Sequence, residues 1–280
     1  MGAERDLLDR LLKSPLDYRA ALGILDHEYQ EWRPEGKPEH RVEFVGGVPL
    51  LSFPVKEQAG FWDGTCYVLG EPPEAEATRV AEAVRARGVN EVDVLGESAF
   101  RVLRPYLTEG TWRLTRQYGL VAEELRTRPS PAVRKLTVGD RLAVDKACER
   151  QRGMGGKRST QRDFEYMLRG LPVTCYSAFE GGDIVGFCSA NPICRGVAEI
   201  SWLFVEEKHR RCGLASGMLT AQAEDAVARG DTVGYYAGWE TTSPWLDGML
   251  RKLGFRELLG CYRFIPASSQ EKWRHWGREV

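Results

Sequence analysis

Residues 204–217, FVEEKHRRCGLASG, contain the strand-to-helix transition on which the interpretation of this sequence depends. A β-prone segment is followed by a charged turn and then by small residues that suit the start of a helix. The first amides of a helix lack partners inside it and carry the positive end of its dipole, so they bind phosphate. Gly213 and Ala215 leave room for a phosphate, and Arg210 and Arg211 add positive charge. Taken alone, these residues fit a phosphate site or an ordinary basic turn.

The elements around this turn predict an α/β region that begins after a proline-containing linker at 126–134. The hydrophobic pattern there predicts strands at 133–136, 173–179, 184–190, 198–205, 232–237 and 256–264, and helices at 140–150, 161–168, 213–228 and 244–252. Before the linker, a helical start at 4–32 leads into a further alternation of strands and helices. We therefore expect two domains, an N-terminal α/β domain at 1–128 and a second domain at 129–280.

The second region resembles the GNAT acyltransferase superfamily. Arg210-x-x-Gly213-x-Ala215 has the form [Q/R]-x-x-G-x-[G/A] of that family's acyl-CoA signature, and Leu253-Gly254-Phe255 resembles the motif that ends its penultimate helix. The predicted order of elements from 173 to 264 also follows the family. Trp239-Glu240, Ser243 and the extra N-terminal region resemble the branch that includes the zwittermicin-resistance acetyltransferases.

The resemblance implies a GNAT fold with a splayed mixed sheet, preceded by an N-terminal domain that is a lid or a degenerate GNAT-like half. It implies acetyl-CoA, or another acyl-CoA, as co-substrate. Pantetheine would pair with the exposed backbone of the signature strand, and the pyrophosphate would lie on the amides after it. The residues expected to bind the cofactor are Leu203, Phe204, Val205, Arg210, Arg211, Cys212, Gly213, Leu214, Ala215, Ser216 and Ser243.

Proton transfer needs a base, because an amine acceptor must lose a proton before it attacks a thioester. Glu199 precedes Arg210 by eleven positions, where Gcn5-type relatives carry their basic glutamate, and Glu240 is the rival base. Leu250 stands where many relatives carry a tyrosine acid, and Ser243 stands where an asparagine is common. Tyr262 is a substitute acid, although the thiolate can leave without one because its pKa is only about 8.5.

These observations predict a cytoplasmic N-acetyltransferase that moves an acetyl group from acetyl-CoA to a small-molecule or peptide amine by direct attack. The alternatives are a catalytically silent CoA-binding regulatory module, or an acyltransferase that uses another acyl donor or a hydroxyl acceptor. A net charge of −1 argues against nucleic acid, and no apolar run approaches the length of a membrane span. Scattered histidines and the lack of C-x-x-C spacing argue against a metal. We expect a monomer or a homodimer.

A basic, glycine-rich segment at 151–158 is similar to a P-loop but lacks its first glycine, its adjacent Lys-Ser pair and a preceding strand. In the GNAT family this region flanks the acceptor site. Two interpretations of this segment stay open. In the first, an acidic substrate contacts Arg152, Lys157 or Arg158, and in the second these side chains are only solvated.

Overall fold

The computed structural model describes residues 2–25, 39–53, 64–126, 130–150, 156–237 and 244–271 of the 280. Its helices are α1 (Gly2–Leu11), α2 (Pro15–Leu25), α3 (Ala77–Arg85), α4 (Glu97–Leu103), α5 (Arg141–Arg150), α6 (Gly156–Leu168), α7 (Leu214–Ala228) and α8 (Pro244–Lys252). Its strands are β1 (Arg41–Val45), β2 (Val48–Ser52), β3 (Thr65–Val68), β4 (Glu91–Leu95), β5 (Gly110–Leu120), β6 (Val133–Lys135), β7 (Thr174–Glu180), β8 (Asp183–Cys194), β9 (Val197–Val205), β10 (Thr232–Ala237), β11 (Arg256–Glu257) and β12 (Cys261–Pro266). No helix in these described ranges is both long and apolar enough to cross a membrane.

The chain divides into two compact units that are discontinuous in sequence. Unit 1 comprises residues 1–117, 237–240 and 257–280, and unit 2 comprises residues 118–236 and 241–256. The first boundary thus falls within β5, and the C-terminal strand belongs to unit 1. The division at 128/129 stays a prediction about domains, because these units are defined by contacts and not by consecutive sequence.

In unit 1, the sheet order is β1-β2-β3-β4-β12-β5. The last strand was expected to close the second region, but β12 pairs antiparallel with both β4 and β5, where Tyr262 lies opposite Val94 and Leu114. This position buries Phe264 and Ile265 in the core of unit 1. Such burial gives a physical reason for the difference, because it removes two large apolar side chains from water.

In unit 2, the strand order is β10-β9-β8-β7-β6. The strands β6 to β9 are antiparallel, and β10 is parallel to β9. Helices cover both faces, since alternate residues of β8 point in opposite directions. Gly186 lies against Met218 of α7, and Ser189 hydrogen-bonds to Asp163 of α6. From α7, the buried Gln222 donates to backbone carbonyls of β7 and β8 and so fixes that helix on the sheet.

The two units repeat one order of elements. Unit 1 has three antiparallel strands, a 3-10 turn at Glu74–Glu76, the helix α3, a parallel strand and the helix α4. Unit 2 has three antiparallel strands, β7 to β9, a 3-10 turn at Glu207–His209, the helix α7, the parallel strand β10 and the helix α8. The chain therefore contains the same supersecondary pattern twice.

Candidate active site

The described residues of β10 pair with the first part of β9 in unit 2. The register between the described residues of the two strands runs from Val197 opposite Thr232 to Ile200 opposite Tyr235. On its other side, β9 stays paired with β8 as far as Val205 opposite Gly186. Residues 201–205 of β9 lie beyond the described part of that register, and we refer to them as the open edge of β9. The splay that the resemblance implies there stays a prediction, in which the backbone groups on the β10 side would bind a ligand.

The exposure of β9 agrees with this prediction. Val197, Ala198 and Ile200 are buried, whereas Trp202, Leu203, Phe204 and Val205 are only half-buried. A central strand with such apolar side chains would ordinarily be covered on both sides. The predicted pantetheine-binding residues 203–205 are therefore partly accessible at this end of the strand.

The open edge leads into the turn before α7, whose backbone is unusual. Arg211 has φ 65° and is the one non-glycine residue with positive φ in the described parts of the chain. Gly213, at φ 78°, is the N-cap of α7 and has no side chain that could accept a hydrogen bond from the first amides of the helix. The first bond of the helix runs from the Gly217 amide to the Gly213 carbonyl, so the amides of 214–216 have no acceptor within α7.

This turn is also the most exposed part of the predicted pyrophosphate site. Arg210, Arg211, Cys212 and Gly213 are exposed, and Leu214, Ala215 and Ser216 in the first turn of α7 are half-buried. The structure therefore brings positive charge and unbonded amides together, as an anion site requires.

Glu206 fixes the turn to the rest of unit 2, a role that the sequence analysis did not predict. Its amide donates to the Val185 carbonyl, and its carboxylate accepts from Arg150 Nε at 2.7 Å. Arg150, the last residue of α5, also donates to the Ile184 carbonyl. Because these bonds join the turn to β8 and α5, they hold it rigid at the end of the open edge.

A β-bulge interrupts β9 at Ser201, the residue after the last described pairing with β10. Trp202 lies opposite Ser189 and Ile200 lies opposite Ala190, so Ser201 is the extra residue. Its hydroxyl contacts Asp163 of α6, which places Ser201 on the α6 face of the sheet. Glu199 lies opposite Asn191, which shares the face of Ser189, so strand alternation puts Glu199 on the α6 face as well. The predicted base and the bulge therefore share one face.

The sequence analysis missed Asp163, which is 3% exposed. One of its oxygens, Oδ2, accepts hydrogen bonds from Ser189 at 2.6 Å and from Ser201 at 3.1 Å. The other, Oδ1, accepts from Arg162 Nε at 2.8 Å. A signal was present, because Asp163 falls on the helical face of Thr160, Phe164 and Met167, where a carboxylate has to be paired. The network joins α6 to the bulge.

The other predicted residues lie elsewhere. Glu240 and Ser243 fall outside the described residues. Tyr262 lies in unit 1, where its ring stacks on Phe100 with centroids 4.2 Å apart, and burial raises the pKa of its hydroxyl. Leu250 is buried in α8. Tyr235, opposite Ile200 at the last described pairing of β9 with β10, is buried in unit 2, and burial raises the pKa of its phenol, so it keeps its proton at neutral pH. No group of three or more potential metal ligands occurs in the part of the chain that the structure describes.

Comparison with known proteins supports the fold. Residues 141–255 match the model of the acetyltransferase (GNAT) family. A GCN5-related N-acetyltransferase from Kribbella flavida is 13% identical over 81% of this chain and 90% of its own, with a TM-score of 0.55. An acetyltransferase from the GNAT family of Colwellia psychrerythraea is also 13% identical, over 90% of this chain and 97% of its own, again with a TM-score of 0.55.

No match was found among the curated proteins. The solved structures are too distant in sequence to carry more than the fold, whereas the family model covers β9, the turn and α7 themselves. Residues 141–255 of this chain are therefore a domain of the GNAT acetyltransferase family.

Proposed function

We propose that the protein is an N-acetyltransferase that moves the acetyl group of acetyl-CoA to a primary amine by direct attack. The observation that carries this proposal is the half-buried end of β9, residues 202–205, which leads straight to the unbonded amides of α7 beside Arg210 and Arg211. A ligand with an amide-containing arm and a pyrophosphate suits this arrangement. Acyl-CoA has both parts in that order.

The residues of unit 2 supply the steps of the reaction. The pantetheine arm pairs with the backbone of residues 203–205, and the pyrophosphate binds the amides of 211–216 with Arg210, Arg211 and Ser216 around it. The amine nitrogen attacks the thioester carbonyl carbon, the carbon–sulfur bond breaks, and Glu199 takes the proton that the nitrogen loses. The thiolate takes its proton from solvent, because its pKa of about 8.5 makes it an acceptable leaving group.

Some of the sequence predictions enter this proposal only as second choices. Glu240 stays the rival base and Ser243 a predicted cofactor contact. Tyr262 stays a predicted acid, which the proposed steps do not need. We further propose a cytoplasmic monomer or homodimer without nucleic-acid partners, on the sequence evidence of charge and composition.

The role of Glu199 is tested by Glu199→Gln, with Glu165→Gln on the surface of α6 as matched control. We expect the first change to lower thiol release from acetyl-CoA about 10²- to 10⁴-fold across a panel of amines, because a general base contributes that much. Calorimetry should show acetyl-CoA binding within twofold of wild type in both variants. Unchanged turnover in Glu199→Gln would exclude this residue as the base.

A CoA-binding module without catalysis is the second candidate, and the buried Leu250 at the usual tyrosine position favours it. A module of this kind should bind acetyl-CoA but release no thiol with any amine or alcohol acceptor, and it should transfer no acyl group from a carrier protein. Thiol release with an alcohol, or acyl transfer from a carrier protein, would instead favour the variants of the fold that use a hydroxyl acceptor or another donor.

A further inference from the structure

Arg162 of α6 presents a guanidinium that is fixed in place yet half open to solvent. Its Nε and Nη2 both contact Asp163 Oδ1, at 2.8 and 2.7 Å. Asp163 is itself held by Ser189 and Ser201 through its other oxygen. The side chain of Arg162 nevertheless remains 52% exposed. A buried carboxylate thus orients an arginine whose outer part faces away from the core.

The contacts with Asp163 leave three of the five N–H groups of Arg162 without a partner among the described residues. These three groups lie on Nη1 and on the outer side of Nη2. That edge of a guanidinium matches a carboxylate with two parallel hydrogen bonds. The pair Arg162–Asp163 is therefore a preorganised receptor for an anionic group, and not only an ion pair.

The receptor lies beside the proposed site of acyl transfer. The carboxylate that holds Arg162 also accepts a hydrogen bond from Ser201, the bulged residue that follows Ile200 in β9. Glu199 lies on the same face of the sheet, two positions earlier in the strand. The proposal requires one acceptor molecule to reach Glu199 with its amine and Arg162 with a second group.

The sequence before Arg162 has the same sign of charge. Arg152, Lys157 and Arg158 precede it, with no acidic residue between 151 and 162. Such a segment favours an anionic ligand near the start of α6. We propose that the acceptor is a primary amine that also carries a carboxylate, as an amino acid does, and that Arg162 binds this carboxylate. The inference rests on the proposed acyl transfer and names the substrate class for it.

Matched pairs of acceptors test the proposal. Thiol release from saturating acetyl-CoA is measured with L-leucine against 3-methylbutylamine, L-phenylalanine against 2-phenylethylamine, and L-lysine against cadaverine. Binding of each compound to the CoA-loaded protein is measured by calorimetry. In the wild type we expect at least one acid to exceed its matched amine about 10- to 100-fold in kcat/KM, since charge-assisted paired hydrogen bonds have that effect.

Three variants assign the preference to Arg162. Arg162→Gln should bring the acid-to-amine ratio close to one by raising KM for the acid, with kcat and acetyl-CoA binding little changed. Arg162→Lys keeps a cation beside Asp163 but loses the planar fork, so it should fold normally and give a smaller loss. Arg229→Gln is the matched control, because Arg229 also pairs with an aspartate, Asp225 at 2.6 Å, but lies just beyond the far end of α7.

Each outcome decides between the proposals. A wild type that prefers the amines, or equal ratios in Arg162→Gln and Arg229→Gln, would overturn the role of Arg162. A wild type that binds acetyl-CoA but neither binds nor acetylates any compound of the panel would reject this substrate class and leave the acyl-CoA site standing. Failure to bind acetyl-CoA would reject the proposed function itself.

Discussion

Replacing Gly213 by alanine tests whether the N-cap of α7 binds the CoA pyrophosphate, because the change affects the backbone of this turn. Gly213 has φ 78°, and a Cβ built there would meet one heavy atom within 4 Å, Ser216 Oγ at 4.0 Å. The methyl group therefore clashes with nothing, and the change acts through the backbone. A left-handed conformation costs an alanine about 1–2 kcal/mol relative to glycine.

This cost sets the expected magnitudes. In the free protein, about 1 kcal/mol corresponds to a fall in melting temperature of roughly 2–4 °C for a domain of this size. If the turn escapes the strain by changing its conformation, CoA has to restore it, and 1–2 kcal/mol equals roughly 5- to 30-fold in Kd. Gly213 is also exposed, so the methyl group adds bulk at the surface where the phosphate is expected to bind. We therefore predict at least about a 10-fold weaker Kd for CoA.

Gly230 supplies the matched control at the other end of the same helix. It has φ 86°, and a Cβ there would meet nothing within 4 Å. Gly230→Ala should lose about the same stability in thermal denaturation but keep its affinity for CoA in calorimetry. Equal Kd values for the two variants would refute the placement of the pyrophosphate at Gly213, whether both values were weakened or both unchanged.

Three further predictions concern single side chains. Arg211→Gly should raise the melting temperature by roughly 2–4 °C, because glycine tolerates φ 65°, yet weaken CoA binding in calorimetry by removing a cation. Among the seven cysteines only Cys212 is exposed, so Ellman's reagent should label one thiol per native chain, CoA should slow that labelling, and Cys212→Ser should abolish it. The hydrogen bonds from Arg134 lower the pKa of Asp140 to about 2. The pair therefore stabilises the fold above about pH 4 and loses that effect as the pH falls towards 2. The melting temperature of Asp140→Asn should be below that of the wild type at neutral pH, and this difference should shrink between pH 4 and pH 2.

The sequence predicted the parts of the site that depend on local pattern. The basic turn and small residues of 210–217 indicated a strand-to-helix transition, and the structure has β9 ending at Val205 and α7 starting at Leu214. The predicted strands 173–179 and 184–190 are separated by only four residues, which is typical of a hairpin, and β7 and β8 pair antiparallel there. Gly254 of the Leu-Gly-Phe motif has φ 98°, and a Cβ on it would collide with the Glu124 carbonyl, which explains the glycine after α8.

What the sequence did not predict depends on contacts between distant residues. The apolar residues of 44–53 suit a single strand, but Gly46 and Gly47 take positive φ there and form the turn of the hairpin of β1 and β2. The bulge at Ser201 leaves no local signal, because it is fixed by Asp163, thirty-eight residues earlier in the chain. The position of β12 in the sheet of unit 1 likewise arises from pairing with β4 and β5, which periodicity cannot reveal.

The repeated order of elements raises the question of whether unit 1 also binds CoA, and two features predict that it does not. Its parallel pair is joined from Thr65 to Val68, the whole length of β3, so that strand has no unpaired segment of the kind proposed for β9. The turn before α3 reads GEPPEAE at 70–76, with two prolines that lack an amide hydrogen and three glutamates that repel phosphate. Calorimetric titration with CoA should therefore give one site per chain, and Gly213→Ala should weaken that site without revealing another. Saturation at two CoA per chain would show that an acidic, proline-containing turn can bind the pyrophosphate, and would remove the physical basis on which the two turns were distinguished.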